Sequence, residues 1–237
     1  MAPRRNISAE EFAKQRLRDP DAARREQQFG EARRRVTERH MIASAPILAE
    51  LARAGFRFET LNALRTSGIQ YTAAIPILLN RLPKVEDNSV RQSIAMLLAV
   101  PWAKPIAAAT LICELDRGGN VNDDYTRWCL SNALAITADE TVTEDVIRLA
   151  RNTRLGKARE MVVLALGKLH DRRAVDTLLQ LLADDAVAGH AISALGKLRA
   201  SRAAPSIEAF LTHPMDWVRT EAAKALRSIK HRPTKTI

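Results

Sequence analysis

The sequence predicts an all-α fold, an α-solenoid of about six helical hairpins with a basic N-terminal helical extension. Three observations carry that expectation. Of 237 residues, 39 are alanine against 9 glycines and 10 prolines, a balance that favours closely packed helices. An eight-residue phrase, in most copies ending in a small residue and leucine, returns six times. Its final leucines are separated by 34, 36, 32, 29 and 31 residues, a spacing that two helices of about 12 residues and two short turns fill.

The extension comprises residues 1–41. Ser8 with Glu11 forms a capping-box pattern, and Asp19-Pro20 places an N-cap before a proline at the first helical position. Two helices are predicted, over 9–18 and 20–40. Phe12, Leu17, Phe29 and Val36 supply only a narrow apolar stripe, suited to capping the first hairpin or to a partner. Arg33, Arg34, Arg35 and Arg39 are the densest basic patch of the chain. They are a candidate contact for nucleic acid or an acidic protein, or else a solvated helix face.

The repeat region spans 42–231. Read in order, the phrases are RFETLNAL (57–64), RQSIAMLL (91–98), RWCLSNAL (127–134), REMVVLAL (159–166), AGHAISAL (188–195) and RTEAAKAL (219–226). Each is expected to be the second helix of its hairpin. The first helices are expected in IASAPILAELARA, TAAIPILLNRL, KPIAAATLICEL, TVTEDVIRLARN, RAVDTLLQLLAD and RAAPSIEAFLTH, where apolar residues recur at helical spacing. Pro46, Pro76, Pro105 and Pro205 are tolerated in a first turn and bend a helix if deeper. Asp87, Asp123 and Asp216 precede phrase arginines by three or four positions and read as N-caps able to pair with an arginine. A basic tail, 232–237, ends the chain. Leucine in the layer between hairpins, with a small residue before it for close approach, makes each hairpin dependent on its neighbours for a core.

The stretch ALGKLHDRRAVDTLLQLLADD, followed by ALGKLRASRAAPSIEAFLTHPMDWVRTEAAKAL, resembles HEAT repeats of the bacterial bilin-lyase-like (PBS-lyase-type) family, over about 42–231 and most strongly after Glu160. The resemblance implies first helices on the convex side of a solenoid, second helices on the concave side, and Asp and Arg ladders between repeats. Two departures stand out. Ala188 replaces the phrase arginine, which removes a rung, and GGNVNDD (118–124) lengthens a loop of the third unit. The resemblance also implies handling of a tetrapyrrole, for which the sequence offers no candidate residue.

The net charge of +10 is concentrated at the ends, where it can attract a polyanion or serve solubility. No apolar run approaches the roughly 18 residues of a membrane span, and MAPRRNIS lacks the apolar core of a secretory signal. A cytoplasmic protein with no membrane contact is expected. Two cysteines make no disulfide framework, and no Cys or His cluster has metal-ligand spacing, so reduced thiols, no metal and no cofactor are expected. There is no Gly-rich phosphate loop, HExxH, CxxC or nucleophile elbow. No histidine is followed by glutamate, which excludes the His-Glu pairs of HEAT-like hydroxylases. Asp123-Asp124, Asp139-Glu140 and Asp184-Asp185 sit at predicted turns, where capping accounts for them.

Trp128 occupies the place held by Gln92, Glu160 and Thr220 in other phrases, so it is expected on an exposed or concave face, a recognition position for an indole, or packed under the 118–124 insert. Asn132 lies one turn on, with Asn62, Ser193 and Lys224 equivalent to it. Trp102 and Trp217, at hairpin junctions, read as structural. The expected function is a non-catalytic scaffold that binds a protein or peptide on the concave face through these residues. The alternative is a nucleic-acid-binding protein acting through its basic termini, with a HEAT-like alkylation-repair glycosylase, using Trp128, Arg127 and Asp124, a more remote version of it.

Overall fold

The structure, a computed structural model, describes residue 8 and residues 21–104, 106–117 and 124–231. The expected helix over 9–18, Phe12, Leu17, the Asp19-Pro20 start, Pro105, the Asp123 cap, insert residues 118–123 and the tail 232–237 lie outside the described residues. Contacts divide the chain into two units, Met1–Ala45 and Pro46–Ile237.

The first unit contains most of helix α1 (Ala22–Arg53), which runs on into the second. The helix expected to end at residue 40 and the first helix of the first hairpin are therefore one helix of 32 residues. Every residue from Arg33 to Arg39 is exposed, as are Phe29 and Val36. Pro46 lies in the interior of α1 and not in its first turn. There it lacks the N–H of an internal helical bond, and the division between the two units falls at that residue.

The second unit is a succession of helical hairpins. The part of α1 from Pro46 precedes α2 (Leu61–Thr66), followed by α3 (Ile75–Arg81) and α4 (Asn88–Leu98), then α5 (Ala107–Asp116) and α6 (Asp124–Thr137). Then come α7 (Thr143–Arg151) with α8 (Ala158–Leu166), α9 (Arg172–Leu181) with α10 (Ala188–Lys197), and α11 (Ala204–Glu208) with α12 (Asp216–Lys230). No strand occurs among the described residues. The hairpin at each end is the least regular. Only the second half of RFETLNAL is helical, because Thr60 starts α2 by accepting from Ala63 N–H. In the last hairpin, 3-10 turns flank the five residues of α11.

The expected caps divide by position. The Asp87 carboxylate accepts from the N–H groups of Ser89 and Val90 and starts α4. Asp139 and Asp171 do the same for the turns they precede. Asp216 is instead the first residue of α12, and its carboxylate accepts from Arg219 at 2.9 Å.

Packing runs along the second helices. In sequence order α2, α4, α6, α8, α10 and α12 each pack on the next. The phrase leucines Leu64, Leu98, Leu134, Leu166 and Leu195 are wholly buried between them. Leu226 retains 8% exposure, as the last of a row must when no further hairpin covers it. Closest approach occurs where ALGKL places glycine after the leucine. A Cβ on Gly167 would stand 2.8 Å from the Ala194 Cα, and one on Gly196 would stand 2.8 Å from the Ala225 Cα. The facing residues are the small ones of the next phrase.

Charged side chains link the hairpins in two series. Deep in the structure, Arg91 Nη2 donates to Glu114 Oε2 at 2.7 Å, with exposures of 9% and 1%, and its Nη1 donates to the carbonyls of Leu82 and Val85. Arg159, itself buried, pairs in the same way with Asp184 at 2.5 Å, though Asp184 keeps 34% exposure and also accepts from Ala186 N–H. The rung is absent at Ala188, as expected. It is absent at Arg127 too, which pairs with Asp124 of its own helix. Arg57 is exposed outside any helix, and Arg219 turns to the carbonyls of His213 and Pro214. Nearer the solvent, first helices are tied by Arg81 to Glu50, Arg148 to Asp116, Arg173 to Glu144 and Arg202 to Asp176.

Two substitutions test this layer. Leu166→Asp puts an unpaired charge between α8 and α10 at a cost of several kcal/mol, and loss of the cooperative thermal transition by circular dichroism is expected. An unchanged melting temperature would rule out the register. Gly167→Val forces the backbones of α8 and α10 apart, with an expected loss of about 1–3 kcal/mol. Val substituted at the partly exposed, uncrowded Gly30 is the control in the same melting experiment.

Candidate functional site

The second-helix row of Pro46–Ile237 holds the expected site residues, and the structure places each of them at or near its surface. Asn62 and Lys224 are exposed, and Trp128, Asn132 and Ser193 are partly exposed. They do not form one cluster. Trp128 stacks against Tyr125 of the preceding turn, ring centroids 6.1 Å apart and planes 5° from parallel, with Tyr125 51% exposed. Helical spacing of three residues sets this pair, and it presents paired aromatic surface on α6.

Asn132 belongs to a different feature, a pocket of about 370 Å³ among α2, α4, α6 and the turns that follow α2 and α4. Met96 and Ile136 line it from the helices, Tyr71, Ala99 and Trp102 from the turns, and Arg65 stands at the end of α2. Tyr71 and Trp102 meet edge to face at 5.5 Å. The Tyr71 hydroxyl donates to the Leu97 carbonyl at 3.0 Å, and burial pushes its pKa up against the opposing charge of Arg65. Asn62 lies beside this pocket through Arg65, whose Nη2 donates to its carboxamide oxygen at 2.8 Å.

Ser193 and Lys224 belong to a third stretch, across α8, α10 and α12. Trp217 covers the place where Gly189 has no side chain. A Cβ there would fall 2.1 Å from the indole, which nonetheless keeps 44% exposure. His190 lies against the same indole at 5.3 Å, with Nε2 3.8 Å from Glu160 Oε2. Burial holds the imidazole pKa below its ordinary value against the opposing charges of Glu160 and Glu221. Burial of Glu221 opposes its charge, yet hydrogen bonds from Lys224 and Ser193 and the charges of Lys224 and Lys197 outweigh it and lower its pKa.

The sequence marks Trp102 and Trp217 as structural residues at hairpin junctions and does not single out Arg65 or, Asn132 apart, the other pocket walls. One feature pointed to Trp217: AGHAISAL departs from the other phrases at two adjacent positions, Ala188 and Gly189. The first loses the ladder arginine, and the second clears the ground on which Trp217 lies. Arg33, Arg34, Arg35 and Arg39 are exposed on the part of α1 within Met1–Ala45. Asp139 and Asp184 act as caps and ion-pair partners. Among the described residues no three His, Cys, Asp or Glu side chains gather as metal ligands, and no helix is long and apolar enough to cross a membrane.

No curated protein sequence matches the chain. Among solved structures it is similar to an engineered protein, at 20% identity and TM-score 0.45, over 68% of this chain and 85% of that one. It is also similar to a designed armadillo repeat protein in complex with the peptide (KR)4, at 16% identity and TM-score 0.45, over 91% of this chain and 97% of that one. A family model, the PBS lyase HEAT-like repeat, matches residues 158–184. That segment holds α8, α9 and the turn between them, with Arg159, Gly167 and Asp184 among its structural residues. The chain thus carries a PBS lyase HEAT-like repeat at 158–184, set within a succession of helical hairpins.

Proposed function

We propose that the chain is a non-catalytic interaction scaffold that binds a protein or peptide partner on its second-helix face, the concave face in repeats of the resembled type. The observation that carries this reading is the exposed aromatic surface along that face. Tyr125 and Trp128 stack on α6, and Trp217 lies over Gly189 beside His190. Rigid indoles and phenols with partly exposed faces are the side chains that contribute most to protein contacts. The core does not need Tyr125, which is 51% exposed. Asn62, Asn132, Ser193 and Lys224, at or near the surface of the same row of second helices, add hydrogen-bonding groups to that face.

Replacing Trp128 and Asn132 together by alanine is expected to weaken a partner recovered by pull-down by about 2 kcal/mol or more, roughly thirtyfold, with the melting temperature unchanged. Retained affinity would move the site off α6.

A second reading has its own observation, the exposed arginines 33, 34, 35 and 39 on α1. Under it the chain binds nucleic acid through its basic extension, in a soluble cytoplasmic setting where such polyanions are available. Titration of fluorescent duplex DNA across a salt series, with the full chain and with all four arginines replaced by glutamine, decides it. Steeply salt-dependent binding that the four replacements abolish would support this reading. No binding at moderate salt would overturn it.

A further inference from the structure

The pocket among α2, α4 and α6 has a volume of about 370 Å³, within the range of sites that enclose a ligand group. Ile69, Tyr71, Met96 and Trp102 give it an apolar wall, and no acidic side chain lines it. Its charge comes from one sign only. Arg65 stands in the wall, its guanidinium held by the Asn62 carboxamide oxygen through Nε at 3.2 Å and Nη2 at 2.8 Å. That uses two of its five N–H donors.

Among the described residues no carboxylate pairs with Arg65, whose guanidinium bonds are those to Asn62. A recess with an apolar wall, one guanidinium and no acidic lining calls for a ligand that carries a carboxylate beside an apolar group.

We propose that this pocket anchors an acidic peptide segment of a partner protein, one large apolar side chain entering beside Ile69, Met96 and Trp102 and an adjacent carboxylate pairing with Arg65. The proposal rests on the scaffold reading and narrows it to a ligand class and a place. A nucleic-acid strand suits the pocket less well. Tyr71 is only 2% exposed and is met edge-on by Trp102, so the wall offers no open pair of aromatic faces for successive bases.

The test is selection of random dodecapeptides displayed on phage against the full chain, followed by fluorescence anisotropy with the selected peptides. Enriched peptides should carry a Phe, Trp or Leu with Asp or Glu beside it. Arg65→Glu and Ile69→Asp change exposed positions, so circular dichroism and melting temperature should hold while each weakens binding by about tenfold or more. Replacing the apolar residue of the peptide by serine should weaken it comparably. Enrichment of basic or neutral peptides, or affinity that neither variant changes, overturns the pocket proposal. If those same peptides are lost on replacing Tyr125 and Trp128, neither of which lines the pocket, the scaffold reading stands without it. No enrichment at all, or tighter binding of oligo-dT that competes with the peptides at Arg65, overturns it as well.

Discussion

Between Gly167 and Ala194, and again between Gly196 and Ala225, successive second helices meet at a separation that leaves no room for a Cβ on the glycine. The core depends on that approach. A single hairpin exposes as much apolar surface as it covers, and only a neighbour at this distance removes Leu166 and Leu195 from water. The alanine-rich composition follows from the same requirement, since a larger side chain before each leucine would hold the helices apart. The regular part of the molecule is the part with neighbours on both sides. At the two ends, α2 is six residues long and α11 five.

The buried ion pairs add register to this packing. Arg91 with Glu114, and Arg159 with Asp184, are costly to desolvate, so their net contribution to stability is small. Their effect is on alternatives, because any slippage between hairpins would leave a buried guanidinium with no carboxylate. Where the partner is missing, the arginine finds a local one. Arg127 pairs with Asp124, and Arg219 with Asp216 and two carbonyls that precede its helix. The exposed series on the first helices, such as Arg148 to Asp116, is screened by solvent and contributes little.

The same row of helices therefore has two kinds of position. The phrase leucines and the small residues before them face the layer and are constrained by packing, while the second phrase position and the one before the small residue face outward and differ in each unit. Gln92, Trp128, Glu160, Gly189 and Thr220 occupy the first of these. Asn62, Met96, Asn132, Leu164, Ser193 and Lys224 occupy the second. A repeat holds its backbone constant and leaves such positions open to recognition. Pocket, aromatic pair and Trp217 platform are three different uses of them.

Much of this organisation was legible in the sequence. The returning small-residue-leucine phrase located every second helix but the first, whose initial half is a loop stopped by the Thr60 cap. The Ala188 departure located a missing rung. The helix end expected at residue 40 is absent, since α1 continues through Pro46 to Arg53, and neither the capping pattern nor the proline marked that continuity. The expected site residues were surface residues, as read, but they fall into three separate groups. Periodicity is a local property and determines which face of a helix is polar, which is why the hairpins and the open positions could be read in advance. Arg65, Tyr71, Met96, Trp102 and Asn132 come from three successive hairpins, and Trp217 meets Gly189 from 28 residues away. Those meetings depend on how each hairpin stacks on the next, so only the tertiary structure decided them.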